Sequence, residues 1–219
     1  GAPASMTIQR IRSTLLFVCA AMLACGVPDG TFFGTDQSGT LLNARAVLHG
    51  DLFVPGPEIG WSGFWLGPLF NQVAAIAMAV RDDFADIVVL LALLHAGSVL
   101  AFERIFRRFT DDGLAHVAAW ALALHPVASS IGAAPISSSL VLPTTAVFVT
   151  GIVSWAEDRE PRAFGLACVG ASLMVQAHIT TLMLLPMFGV GLARRAPIRR
   201  AGRWGLAAAL VIAAPMLLF

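Results

Sequence analysis

The polar side chains best suited to chemistry collect in one insert between two apolar stretches: Asp36, Arg45, His49, Asp51 and Glu58. Arg45 offers a planar fork of donors that can hold a phosphate through two bonds or bridge to Asp51 or Glu58. Asp36 stands where a helix over 37–49 would begin, a position at which aspartate commonly caps the first free backbone N–H groups. Far downstream, Gln176 and His178 interrupt a long apolar run. A polar pair there either hydrogen-bonds a phosphate or closes a turn. Of the other histidines, His95 reads as a mid-span interhelical hydrogen-bonder, His116 lies near the edge of a span, and His125 precedes Pro126 and marks a kink. No two histidines share a metal-like spacing, so no cofactor is predicted, and a divalent metal, though possible, has no support. Cys19, Cys25 and Cys168 fit no zinc or redox motif and read as small core residues.

The elements that must position these residues are membrane helices. The chain is 58% hydrophobic and 12% charged with mean hydropathy +0.80, a composition that hides its surface in lipid. It has no tyrosine and no lysine, and its net charge of +1 gives no basic surface for a nucleic acid. Apolar segments run over residues 11–27, 68–80, 87–102, 114–131, 140–155, 163–193 and 204–219. The second is only about 20 Å long as a helix, short of the roughly 30 Å hydrocarbon core, and is expected to lie at the interface. The sixth, at about 46 Å, is too long for one upright crossing and is expected to fold back at Gln176 to His178.

With those two adjustments every arginine except Arg45 and Arg81 falls on the cytoplasmic side, as the positive-inside rule prefers. The expected fold is therefore all-α, a polytopic bundle of about seven spans with surface helices after the first. Residues 1–11 form a cytoplasmic tail and residues 12–219 a single membrane domain, with an external loop over 29–86 and the later spans over 87–219. The implied location is the inner (plasma) membrane, multi-pass, N-terminus inside. Trp61 and Trp65 read as interfacial anchors.

The loop carries Thr35-Asp36-Gln37, then Ala44-Arg45-Ala46-Val47-Leu48-His49-Gly50-Asp51-Leu52, then Val54-Pro55-Gly56-Pro57, then Gly63-Phe64-Trp65-Leu66-Gly67-Pro68-Leu69. In this order it resembles the first external loop of GT-C glycosyltransferases, above all relatives of protein O-mannosyltransferases and lipid A aminoarabinose transferases. That family is similar in its acidic residue after the first membrane helix, its surface helix ending in a Gly-Asp-like turn, and its Pro-Leu start of a second surface helix. Arg104-Ile105-Phe106-Arg107-Arg108 resembles the basic stop after the second span, and Gln176-Ala177-His178 a Gln-x-His between later spans. The resemblance covers residues 11–195. Two departures stand out: Gln37 occupies the place of a second acidic residue, which leaves a paired-carboxylate metal site without its partner, and relatives continue into more spans, so the chain is expected to be an N-terminal module.

The resemblance implies transfer of a sugar from a polyprenyl-phosphate donor to a protein, lipid or glycan acceptor at the outer face of the bilayer, with inversion. It implies Asp36 as the base that takes the acceptor proton, with Arg45, Gln176 and His178 on the donor side. The competing reading is a membrane transporter or a non-catalytic scaffold. A transporter should show internal repeats, broken helices and buried ionisable residues along its path.

Overall fold

The computed structural model describes residues 2–26, 35–58, 65–194 and 200–214, with the backbone alone described for 2–6, 35–37 and 200–202. Ten α-helices are described: α1 (Ala2–Gly26), α2 (Thr35–Leu48), α3 (Leu69–Met78), α4 (Phe84–Phe106), α5 (Asp112–Leu124), α6 (Pro126–Gly132), α7 (Val141–Ala156), α8 (Pro161–Ala177), α9 (Phe188–Ala193) and α10 (Arg200–Ala213). Two 3₁₀ segments, Ser137–Leu140 and Ile179–Met187, complete the set. Among the described residues there is no strand, only one bridge between Glu58 and Trp65.

Three stretches are long and apolar enough to cross a membrane, Thr7–Gly26, Phe84–Phe106 and Ser137–Ala156, and a fourth crossing exists if α5 and α6 count as one broken span. The chain is thus an all-helical protein with three or four candidate spans among the described residues, fewer than the seven expected. The difference has local causes. The 163–193 run is cut at His178, whose extended backbone (φ −164°, ψ 133°) ends α8, and its second half winds as a 3₁₀ helix containing Pro186. The 114–131 run is bent by 63° where His125 meets Pro126. Proline disfavours helical backbone in the residue before it, and it suits the first position of the helix that follows. The 68–80 segment is the 10-residue α3, about 15 Å long. Residues 2–11, expected as a tail, already belong to α1.

Three apolar clusters hold the bundle. One joins α2, α3 and the start of α4 through Val47, Phe70, Met78, Ile87 and Leu91. A second ties α1 to α4 and α5 through Leu16, Val99 and Ala119. The third is aromatic: Trp155, Phe164, Phe188 and Phe148 pack with ring centroids 4.9–6.4 Å apart, seating α8 and α9 on α7. Gly151 and Gly170 let α7 and α8 touch backbone to backbone, since a side chain at either would collide with Ala167 or Phe148. Helix association in lipid depends on such close approach because no hydrophobic force separates helix from solvent there. Outward apolar residues such as Ile11, Leu15, Met22, Leu93 and Val117 stay exposed, as lipid-facing positions would.

Ion pairs sort the ends of the bundle. Arg108 pairs with Asp158, Arg194 with Glu157 at 2.7 Å, and Arg107 with Glu103 at 2.7 Å, and the Ser13 hydroxyl lies 3.5 Å from Glu103. The start of α1, the end of α4, the α7–α8 turn and the end of α9 therefore share one end of the bundle. Arg45 and Arg81 lie at the other, paired with Asp82 and Asp86 beside the start of α4.

Candidate functional site

At the end away from the arginine cluster a cleft of about 530 Å³ opens between α4, α5, α6, the Ser137–Leu140 turn and the segment after α8. His95, His125 and His178 all line it, with Ser138, Ser139 and Thr180 as further polar groups and Leu122, Val127, Ile131, Val141 and Leu142 among the apolar walls. Each histidine is held differently. His125 ends α5 in extended backbone and accepts the Ala128 N–H on Nδ1 at 3.4 Å, capping α6. His178 does the same for the following 3₁₀ helix, its Nδ1 meeting the Thr180 N–H at 3.4 Å and the Thr180 hydroxyl at 2.9 Å. A neutral imidazole that accepts on Nδ1 carries its proton on Nε2, so each cap leaves one N–H donor.

His95 is different. It is fully buried in α4, and neither ring nitrogen has a hydrogen-bond partner. The interhelical bond expected for it is absent among the described residues. Its ring lies on Gly132, where any Cβ would strike the imidazole. An imidazole buried without partners costs on the order of 1–3 kcal/mol.

The described parts of the segment between α1 and α4 are held by a turn and by cross-segment hydrogen bonds. α2 ends at Leu48 and the chain turns at Gly50, whose φ of +103° is the left-handed conformation that glycine accepts without strain. Asn71 in α3 donates to the Val54 and Pro55 carbonyls at 3.1 and 2.9 Å, Gln72 donates to Leu52 at 3.0 Å, and Gly56 and Leu66 hydrogen-bond across the loop. Asp83 caps α4 by accepting from Ala85, and the bond to Asp86 raises the Arg81 pKa above its ordinary value.

The four expected site residues separate. Asp36 lies in the first turn of α2, and its side chain falls outside the described residues, as do Trp61 and the motif from Gly63 to Phe64. Arg45 bridges neither Asp51 nor Glu58; its Nε and Nη2 donate to the two carboxylate oxygens of Asp82 at 3.2 Å each. Gln176 is buried, donates to the Ile212 carbonyl in the last turn of α10 at 2.8 Å, and packs on Gly67 of the loop. It joins helices and loop where a donor-binding role was expected. Of the three whose side chains are described, His178 alone lines the cleft. What the sequence reading passed over is the company it keeps: His95 and His125 reach the same space because the His-Pro bend turns α6 back over α4. That dipeptide was the available signal.

Among the described residues no three His, Cys, Asp or Glu side chains are grouped closely enough to hold a metal ion. The cleft's chemistry is that of neutral N–H and O–H donors at the edge of an apolar groove, suited to an anionic or hydroxyl-bearing headgroup with a hydrocarbon tail. The chain matches no protein-family model, no curated protein and no solved structure.

Proposed function

We propose that this chain is a polytopic membrane glycosyltransferase of the GT-C type, carrying a sugar from a polyprenyl-phosphate donor to a protein, lipid or glycan acceptor at the extracytoplasmic face. The observation that carries the reading is the histidine-lined cleft, with apolar walls for a prenyl chain and imidazole and hydroxyl donors for its phosphate, at the same end of the bundle as the loop helices. The full topology has seven crossings, the shorter segments after α7 included, and an orientation that puts the arginine end in the cytoplasm of a cell's inner membrane. In this scheme Asp36 takes the acceptor hydroxyl proton and the freed oxygen attacks the anomeric carbon. The bond to the phosphate oxygen breaks with inversion, and polyprenyl phosphate leaves with the electron pair. His125 and His178 donate to the departing phosphate. Arg45 and Gln176 act as positioning residues, holding the loop to the α3–α4 turn and α8 to α10.

The test is sugar transfer from a panel of radiolabelled polyprenyl-phosphate sugars in membranes containing the protein. Transfer that is lost in Asp36→Asn with donor binding retained, and donor binding that is lost in His178→Ala, support the reading. A transporter is the second reading, favoured by two features: the unpartnered His95 within a span and the 63° break between α5 and α6. Solute uptake by proteoliposomes that Asp36→Asn leaves unchanged and His95→Leu abolishes, with no sugar transfer by the parent, decides for it. Absence of both activities leaves the scaffold.

A further inference from the structure

The opposite end of the bundle holds a second cleft, of about 690 Å³, between α1 and α4. Its polar rim is Gln9, Arg10, Ser13, Arg104 and Arg107, and Phe17 and Leu100 form its apolar floor. We infer that this cleft binds the headgroup of an anionic phospholipid, with the acyl chains continuing along Phe17 and Leu100.

Three observations lead there. First, the only charged side chains lining the cleft are arginines, and two of them, Arg10 and Arg104, are exposed and form no ion pair with any described residue. At the same end Arg108 and Arg194 are paired with Asp158 and Glu157, while Arg159 and Arg162, like Arg10 and Arg104, have no ion pair among the described residues but lie outside the cleft. Second, the third cleft arginine is fixed in place. Arg107 donates to the buried Glu103 at 2.7 Å, and Glu103 also meets His116 Nδ1 at 2.8 Å. Trp120 donates to His116 Nε2 at 3.0 Å, which puts the His116 proton on Nδ1, toward Glu103. The chain Trp120–His116–Glu103–Arg107 spans α4 and α5, so the guanidinium needs no ordering when a ligand arrives. Third, the cleft grades from arginine to apolar along the helix axis. Arg104 and Leu100, and likewise Arg10, Ser13 or Thr14 and Phe17, are spaced at helical three- or four-residue steps on one face. A soluble phosphate needs only the rim, whereas a diacyl phosphodiester uses both rim and floor. Basic pockets between helices at a bilayer surface favour anionic lipids in this way.

Protein purified in a non-ionic detergent, titrated with dioctanoyl phosphatidylglycerol or dioctanoyl phosphatidylcholine and followed by native mass spectrometry, tests the inference. The parent should retain phosphatidylglycerol in preference to phosphatidylcholine. The double substitution Arg10→Gln with Arg104→Gln should weaken phosphatidylglycerol binding roughly thirty-fold, the effect of two arginines at an anionic surface. Arg159→Gln with Arg162→Gln removes the same charge from exposed positions outside the cleft and should leave that preference intact. Equal losses in the two double variants would show a general charge effect and overturn the site, as would a parent without preference. Inorganic phosphate displacing the lipid at equal concentration would also overturn it, since the site would then read only the anion. If the double variant does not fold, Arg10→Gln alone, at an exposed position of α1, carries the same comparison.

Discussion

The two ends of the bundle differ in how they treat their most buried ionisable group, although Arg107 Nε at the arginine end is also buried without a hydrogen bond, and Asn71 and Gln176 at the other end are hydrogen-bonded. At the arginine end a buried carboxylate is fully engaged: Glu103 meets Arg107, His116 and, more distantly, Ser13, and the neighbouring loops are tied by Arg108–Asp158 and Arg194–Glu157. At the histidine end the most deeply buried polar side chain, His95, has no partner at all, while His125 and His178 each spend only one nitrogen on capping. A satisfied buried network fixes structure, whereas a buried polar group without a partner costs stability.

The sharpest way to break that contrast is to open the satisfied network. Glu103→Ala would leave a four-fifths-buried Arg107 guanidinium without its main partner. Breaking a buried pair costs up to about 3–5 kcal/mol, less here because Arg107 keeps Asp112 at 3.7 Å, so the apparent Tm in detergent should fall by about 5–10 °C. An unchanged Tm would mean that lipid phosphate or water replaces the carboxylate. The reverse result is expected at the other end. His95→Leu removes two orphaned nitrogens from a cleft wall with little change in volume and should stabilise the protein by about 1–2 kcal/mol. If the same change destabilises the protein, an ordered water or ligand completes His95 in the resting state, and the two ends are more alike than their side-chain bonds imply.

The division was only partly legible in the sequence. Helix positions followed from apolar length and from breakers, and the surface helix expected at 37–49 is α2, Thr35–Leu48. The run expected to break at Gln176 to His178 does break there, α8 ending at His178 in extended backbone. The kink at His125 was equally local. What could not be read were partners distant along the chain. Arg45 had acids nearby in Asp51 and Glu58, yet it reaches 37 residues onward to Asp82, which the α3–α4 turn brings beneath it. Gln176 looked like a ligand because it is polar among apolar residues; in fact its amide completes a free carbonyl in the last turn of α10. His95 shows the converse, since nothing in its neighbourhood of leucines and alanines announces that no donor or acceptor will face it.

The smallest expected effect concerns the rim of the histidine end and separates two uses of one arginine. The Arg45–Asp82 pair is bidentate, but both side chains are about half exposed, at 50% and 58%. Solvent screening limits such pairs to about 0–1 kcal/mol, so Arg45→Gln should shift the Tm by no more than about 2–4 °C. Asp82 adds a constraint of its own, for it holds φ at 51°. That backbone costs a side-chain-bearing residue about 1 kcal/mol, which Asp82→Gly would recover while deleting the same pair. On the proposed glycosyltransferase reading, if Arg45 serves only to hold Asp82, both variants keep the parent KM for the polyprenyl-phosphate donor. Arg45→Lys, which keeps the charge but loses the fork, then behaves like Arg45→Gln in stability. If Arg45 instead leaves Asp82 to grip the donor phosphate, Arg45→Gln and Arg45→Lys both raise that KM with little change in Tm, and Asp82→Gly lowers it by freeing the guanidinium. The sign of the Asp82→Gly effect on KM therefore decides whether the loop arginine belongs with the satisfied groups of the bundle or with the incomplete ones.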